Sequence, residues 1–210
     1  MAQSVVYVVD DDPALRSSIA RLLRSHDLAV TTYASATEFL DHLPPRQPGC
    51  LLLDFSMPGM NGLELQKELA SRSHCLGIVF VTGTGDVPST VAAMKGGALD
   101  LLTKPFEEEA LMDAVRGALE RSHALHARQD AVDRGWTAYQ LLTARERQVC
   151  LLVAQGLLNK QIAGELGPTE KTIKLHRANV MRKLGVNSVA DLVRTVERLR
   201  DSGLLQELPS

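Results

Sequence analysis

The sequence predicts an α/β domain built on a parallel sheet, followed by a smaller all-helical domain. Three observations predict it. Within the first 122 residues, four apolar runs (residues 5–9, 50–53, 76–81 and 98–102) alternate with amphipathic helical patterns. Strands separated by helices in this way pair in parallel. Beyond residue 138 the apolar spacing turns helical, in short segments broken by a Gly-Pro turn. The charge divides at the same place: residues 1–122 carry 10 Lys+Arg against 16 Asp+Glu, a balance of −6, whereas residues 138–210 carry 11 against 7, a balance of +4. An acidic half suits metal and phosphoryl chemistry, and a basic half suits a polyanion.

The first run, VVYVV, ends on Asp10, Asp11 and Asp12. Pro13 fits the first position of a helix whose stripe is Leu15, Ile19, Leu22 and Leu23, and Asp12 fits its cap. Asp10 and Asp11 are left without a structural task. The second run, CLLLDF, ends at Asp54, the third closes on Thr82, Gly83, Thr84 and Gly85, and the fourth on Thr103, Lys104, Pro105 and Phe106. A parallel sheet carries the C-terminal ends of its strands to one edge, where ligands bind. Asp10, Asp11, Asp54, Thr82 and Lys104 are therefore expected to meet. Carboxylates gathered there repel one another unless a cation sits among them, and an all-oxygen set suits a hard ion such as Mg2+. With one acid as nucleophile, a hydroxyl, and a lysine to neutralise phosphoryl oxygens, the set reads as a phosphoryl-transfer site. Taken alone, Lys104 reads equally well as a solvated surface lysine.

After Leu119 the chain is polar and free of proline as far as Gln140. The last helix of the first domain is expected to continue toward Asp133, with Gly135 ending it, so that residues 123–137 form a helical linker. Thr143 and Glu146 make a capping-box pattern, opening a helix with Val149, Leu152 and Val153 inward. NKQIAGEL (Asn159–Leu166) is a second short helix, Gly167 and Pro168 make a turn, and Thr169 starts a third, which is helix-turn-helix spacing. In the third helix Ile173, Val180 and Leu184 face inward, while Lys171, Lys174, Leu175, Ala178 and Arg182 follow the opposite side. From Thr169 to Lys183 there are five basic residues against one acid. A recognition helix needs such a face, with cations for phosphates and guanine edges and small apolar groups for the thymine methyl. The plain alternative is a solvated helix face, and the turn before it weighs against that. His176, flanking Ile173 and Val180, is expected to turn toward the interior.

The chain has 210 residues, 45% of them hydrophobic and 4% aromatic, an ordinary globular composition. No apolar stretch reaches the roughly 18 residues of a membrane span, and the N-terminus lacks a signal peptide's layout, so a cytoplasmic protein with no membrane partner is expected. Cys50, Cys75 and Cys150 are odd in number and lack CxxC spacing, which excludes a disulfide framework or a zinc site. His123 and His126 stand at i, i+3 with no third ligand nearby.

The motifs VVDDDP, LLLDFSMPGMNG, VFVTGTGD and MKGGALDLLTKPF, in this order, resemble the receiver domain of bacterial two-component response regulators over roughly residues 1–122. That resemblance implies a CheY-like, doubly wound, five-stranded fold with Asp54 as phosphoacceptor. It also implies that Asp11, Asp54 and the Ser56 carbonyl ligate Mg2+, with Asp10 acting largely through water. Thr82 and Lys104 would contact the phosphoryl group, and Ser56 and Thr84 would tune its lifetime. Residues 142–188, LTARERQ through to GVNS, resemble the LuxR-type four-helix DNA-binding domain, making the whole chain (1–122 receiver, 138–210 DNA-binding) similar to the NarL/FixJ subfamily. In that family the positions of Lys174, Leu175 and Ala178 face bases, and those of Lys160, Lys171 and Arg182 face phosphates. The partners implied are a sensor histidine kinase, operator DNA, RNA polymerase and a second copy in a phosphorylation-dependent homodimer joined through residues 88–120.

Three positions depart from the pattern. Leu158 stands where a small polar residue is usual, Pro168 replaces an aliphatic, and Leu101 sits where most receivers place Tyr or Phe. A relay from Thr82 must then work through packing around Leu101. Two other classes compete. A haloacid-dehalogenase-like phosphatase wants a second acid two residues after its nucleophile, but Asp54 is followed by Phe55 and Ser56, and the pair Asp10 and Asp12 meets Ala14 where that family has Thr or Val. A phosphorylation-independent regulator with a vestigial receiver has only Leu101 in its favour.

Overall fold

The computed structural model describes residues 4–43, 46–83 and 87–205. Five parallel strands, β1 (Val5–Val9), β2 (Ala29–Tyr33), β3 (Gly49–Asp54), β4 (Gly77–Thr82) and β5 (Asp100–Thr103), form one sheet in the order β2-β1-β3-β4-β5. Every residue of β3 and β4 is buried, as expected of central strands covered by helices on both faces. The edge strand β2, AVTTY, is only partly covered, and its two threonines interrupt any apolar run. For that reason the apolar runs alone mark four strands, and the fifth is expected only from the resemblance to receiver domains.

Helices α1 (Pro13–Ser25) and α5 (Glu108–Gln140) cover one face through Ile19, Leu23, Leu111 and Val115. On the other face α2 (Ala36–Asp41), α3 (Gly62–Ser71) and α4 (Val87–Lys95) contribute Phe39, Leu65, Leu69 and Ala93. Asp12 caps α1, accepting from the Ala14 and Leu15 amides, with Pro13 in the first turn. α4 is the weakly anchored member, with Ala93 as its fully buried side chain and Val87, Val91 and Met94 exposed.

The chain divides into two compact units, residues 1–127 and 128–210. In the second unit, α6 (Ala144–Ala154), α7 (Asn159–Leu166), α8 (Glu170–Leu184) and α9 (Val189–Asp201) surround Val149, Ile162, Ile173, Val180, Leu192 and Val196. The segment expected as a linker departs from expectation here. α5 does not stop at Gly135 but runs on to Gln140, placing Val132 and Tyr139 in the second core. The reason is packing. A Cβ on Gly135 would stand 3.1 Å from the Thr195 methyl of α9, so the glycine serves close helix approach and does not end the helix. Gly167, at φ +87°, does make the left-handed turn between α7 and α8. No helix among the described residues is long and apolar enough to cross a membrane.

The helix starts follow their caps. Thr143 Oγ1 accepts from the Glu146 amide, while Glu146 Oε2 accepts from the Thr143 amide at 2.8 Å. Glu146 is itself buried and receives the Lys183 ammonium at 2.6 Å, and that ammonium also donates to the Leu141 carbonyl. One carboxylate thus joins the start of α6 to the end of α8. The Lys183 ammonium and the Thr143 amide hold the Glu146 carboxyl below its ordinary value of 4.5. A lowered value means that this contribution is complete above the ordinary carboxylate range and is lost as pH falls through the folded value. Glu146→Gln should therefore cost about 2 kcal/mol of stability at neutral pH. In thermal melts from pH 8 to pH 2, the gap from wild type should be constant above about pH 5 and narrow below it. A gap independent of pH would refute the ion pair.

Candidate functional sites

The strand register brings the acids together. Val9 lies opposite Leu53, so Asp10, the next residue, leaves the sheet beside Asp54, and Asp54 in turn pairs with Val81, one before Thr82. Asp10, Asp54 and Thr82 are 2%, 5% and 1% exposed. Two carboxylates this deeply buried need a counter-charge, and Lys104 supplies it. Its ammonium donates to Asp54 Oδ1 at 2.6 Å and to Asp10 Oδ2 at 2.9 Å. The Lys104 amide donates to the Thr82 carbonyl at 2.7 Å, tying the loop after β5 to the end of β4. Remaining valences are also met: the Ser56 amide donates to Asp54 Oδ2 at 3.0 Å and the Asp12 amide to Asp10 Oδ1 at 2.8 Å.

Burial pushes the Asp54 carboxyl up, more than the Lys104 hydrogen bond and charge draw it down, and Asp10 adds to the rise. For Lys104 burial acts downward, but the hydrogen bonds to Asp54 and Asp10 outweigh it and hold the ammonium above its ordinary range. The lysine is firmly charged, and the carboxylate opposite it is the strained partner.

Of the residues expected at this edge, Asp10, Asp54, Thr82 and Lys104 converge. Asp11 and Ser56 lie exposed on the rim, and Leu101, opposite Phe80 in β5, packs against the core cluster below. Thr84 lies outside the described residues. Among the described residues no three acids, histidines or cysteines close on one point. The donor set still fits Mg2+, because that ion is generally held by one or two carboxylates and completes its shell with water and phosphate oxygens. One contributor escaped the sequence reading. Arg16, in the first turns of α1, donates to the Asp10 carbonyl at 2.5 Å. A cation so near a helix N-terminus opposes the helix dipole, and that misfit was the available signal.

In the second unit the outer face of α8 is as expected. Lys171, Lys174, Leu175 and Ala178 are exposed and share one shallow depression with Thr172, and Leu175 is 62% exposed. Lys160 on α7 is exposed, as is Arg182, which donates to Asn179. His176 is half-buried, partway to the interior position expected of it. Leu158 precedes α7 without a capping oxygen, and Gln161 instead reaches back to its amide at 2.8 Å. α7 nevertheless begins at Asn159, and Pro168 leaves Thr169 free to cap α8.

Both parts of the chain resemble known proteins. Residues 6–116 match the family described as response regulator receiver domain, and residues 140–196 match bacterial regulatory proteins of the luxR family. The chain is 45% identical over 200 residues to the response regulator protein TmoT of Ectopseudomonas mendocina, covering 95% of this chain and 91% of that one. It is 46% identical over 189 residues to the transcriptional regulatory protein FixJ of Azorhizobium caulinodans, covering 90% of each. The low-resolution structure of the response regulator StyR superimposes with a TM-score of 0.79 at 48% identity, over 94% of this chain and all of that one.

The raised Asp54 value has a measurable consequence. Ionising a group whose folded pKa is raised costs native stability at every pH above that value, and the cost vanishes as pH falls through it toward the ordinary 3.8. In a chelating buffer Asp54→Asn should melt above wild type at pH 7, with the two curves converging as pH falls toward the ordinary 3.8. A variant that melts lower at pH 7 would mean that the Lys104 bond outweighs burial.

Proposed function

This chain belongs to the NarL/FixJ type of two-component response regulators, transcription regulators that join a receiver domain to a LuxR-type DNA-binding domain, and on that premise we propose that Asp54 is the phosphoacceptor through which a histidine kinase controls its binding to DNA. The observation that carries this is the Lys104 ammonium within hydrogen-bond reach of both Asp10 and Asp54 at the strand ends.

An Asp54 carboxylate oxygen attacks the phosphorus of the kinase phosphohistidine, the P–N bond breaks, and the imidazole leaves. Receiver domains generally bind Mg2+ at this site. Asp11, Asp54 and the Ser56 carbonyl would hold it here, with Asp10 through water, and the ion would neutralise charge on the phosphoryl oxygens. This chain's own residues do the rest. Phosphorylation removes the carboxylate charge that Lys104 faces and replaces it with phosphoryl oxygens farther out, so the ammonium follows the charge while remaining paired with Asp10. The Thr82 hydroxyl takes a second oxygen. Each charge-assisted contact is worth about 1.5 to 3 kcal/mol, enough to move a two-state equilibrium roughly ten- to hundredfold. The movement reaches β5 through the packing of Leu101 against Phe80, and the surface it alters is residues 88–120, where two copies join. A dimer sets two α8 helices on a pseudo-palindromic operator beside RNA polymerase. The Asp10–Lys104–Asp54 cluster, with both carboxylates buried, favours this over a vestigial receiver.

Incubated with Mg2+ and a small acyl-phosphate donor, the protein should gain one base-labile phosphoryl group and shift toward twice its 22.9 kDa mass by light scattering. Asp54→Asn should do neither. Equal labelling of the variant would remove the assignment.

On DNA the exposed residues of α8 separate by role. Lys174→Ala or Leu175→Ala should cost about 1 to 3 kcal/mol on the preferred operator and little on random duplex. Lys160→Ala, Lys171→Ala or Arg182→Ala should weaken all sequences alike and lower the salt slope by about one unit. Titrations at several salt concentrations distinguish the two patterns, and a reversed pattern would show that the helix is docked in a different phase.

A further inference from the structure

We infer that Arg177, acting through Asn159, fixes the angle between α7 and the recognition helix α8 and is thereby a positioning residue for sequence readout. The inference rests on the DNA-binding reading above.

α7 has eight residues and one fully buried side chain, Ile162. Ala163 and Leu166 pack against the same core only in part, so apolar contact holds α7 in place more firmly than it fixes its angle. Its two ends are secured by arginines from the helices on either side. At the C-terminal end Arg145 of α6 donates to the Leu166 carbonyl, where a cation also suits the negative end of the helix. At the N-terminal end the half-buried Arg177 of α8 donates to Asn159 Oδ1 at 3.1 Å.

That second placement runs against the electrostatics. Asn159 is the first residue of α7, and Leu158 offers no capping oxygen. A guanidinium beside exposed helix N–H groups is disfavoured. The acceptor is neutral, so the bond fixes geometry while leaving the guanidinium charge uncompensated. A bond that helps the free domain so little electrostatically finds its use when the domain is docked. Arg177 follows Lys174 by three and precedes Ala178, both assigned to bases, while Asn159 precedes Lys160, assigned to the DNA backbone. The bond therefore links the start of α7 to the middle of the contact face of α8, and presetting their angle lets base and backbone contacts form together without an ordering cost on binding.

Arg177→Met keeps the length of the side chain and removes its donors, and Asn159→Ala removes the acceptor. Full-length protein activated with beryllofluoride is assayed on a duplex that wild type selects from a random pool, and on random duplex. Each single variant should lose about tenfold in affinity for the selected duplex, the size of one hydrogen bond. The double variant should lose no more than either single one, and melting temperature, affinity for random duplex and its salt slope should match wild type. If Arg177→Met instead lowers the salt slope by about one unit while Asn159→Ala is silent, Arg177 touches phosphate itself and the positioning role falls. A fall in melting temperature with the selected-to-random ratio intact reduces the pair to a brace of the fold and overturns it equally. A wild-type protein that selects no sequence removes the DNA-binding reading together with this inference, and does so before any variant is compared.

Discussion

Two carboxylates cannot share the end of a parallel sheet without a cation between them, and the receiver half is organised around that requirement. Asp10 and Asp54 are almost wholly buried because β1 and β3 are adjacent central strands, and Lys104 reaches both from the loop after β5. The lysine can do so because its own amide is fastened to the Thr82 carbonyl, so the same loop that supplies the charge is hydrogen-bonded to the strand that supplies the hydroxyl. Charge, loop and strand end form one mechanical unit. The loop after β5 is thereby joined to Asp54 through the Lys104 side chain and to β4 through its backbone.

The second half solves a different problem with the same economy of charge. Its helices share one apolar core, and polar links join them in pairs across it: Glu146 with Lys183, Arg145 with Leu166, Arg177 with Asn159. None of these consumes the exposed cations of α8. The residues that shape the domain and those offered to a polyanion are separate sets.

Much of this was legible in sequence, for physical reasons. β1, β3 and β4 are continuous apolar runs because central parallel strands are covered on both faces, and each site residue was visible because it ends such a run. β2 was not, since an edge strand with two threonines carries no run. The extent of α5 was misread at Gly135 because a glycine chosen for close packing against Thr195 looks, in one dimension, like a helix stop. The Thr143–Glu146 cap was readable as a local pattern, but its second partner, Lys183, lies 37 residues away in sequence and no spacing rule reaches it. The grip of Lys104 on both acids was equally out of reach, because it depends on where a side chain ends and not on where its residue sits.

The placement of Val132 and Tyr139 has a consequence for how the protein is made. They belong to the core of the second unit, yet they lie near the end of a helix that begins in the first. As the chain leaves the ribosome from its N-terminus, the first unit holds its own complete core and can fold early. The last turns of α5 then emerge ahead of their partners: α6 brings Arg147 over the Tyr139 ring, and α9, which sets Thr195 against Gly135 and supplies Val196 and Leu199, comes last. The second unit is therefore closed by its first and last elements together, and a nascent chain truncated before α9 would leave its core open on the side that Val196 and Leu199 fill.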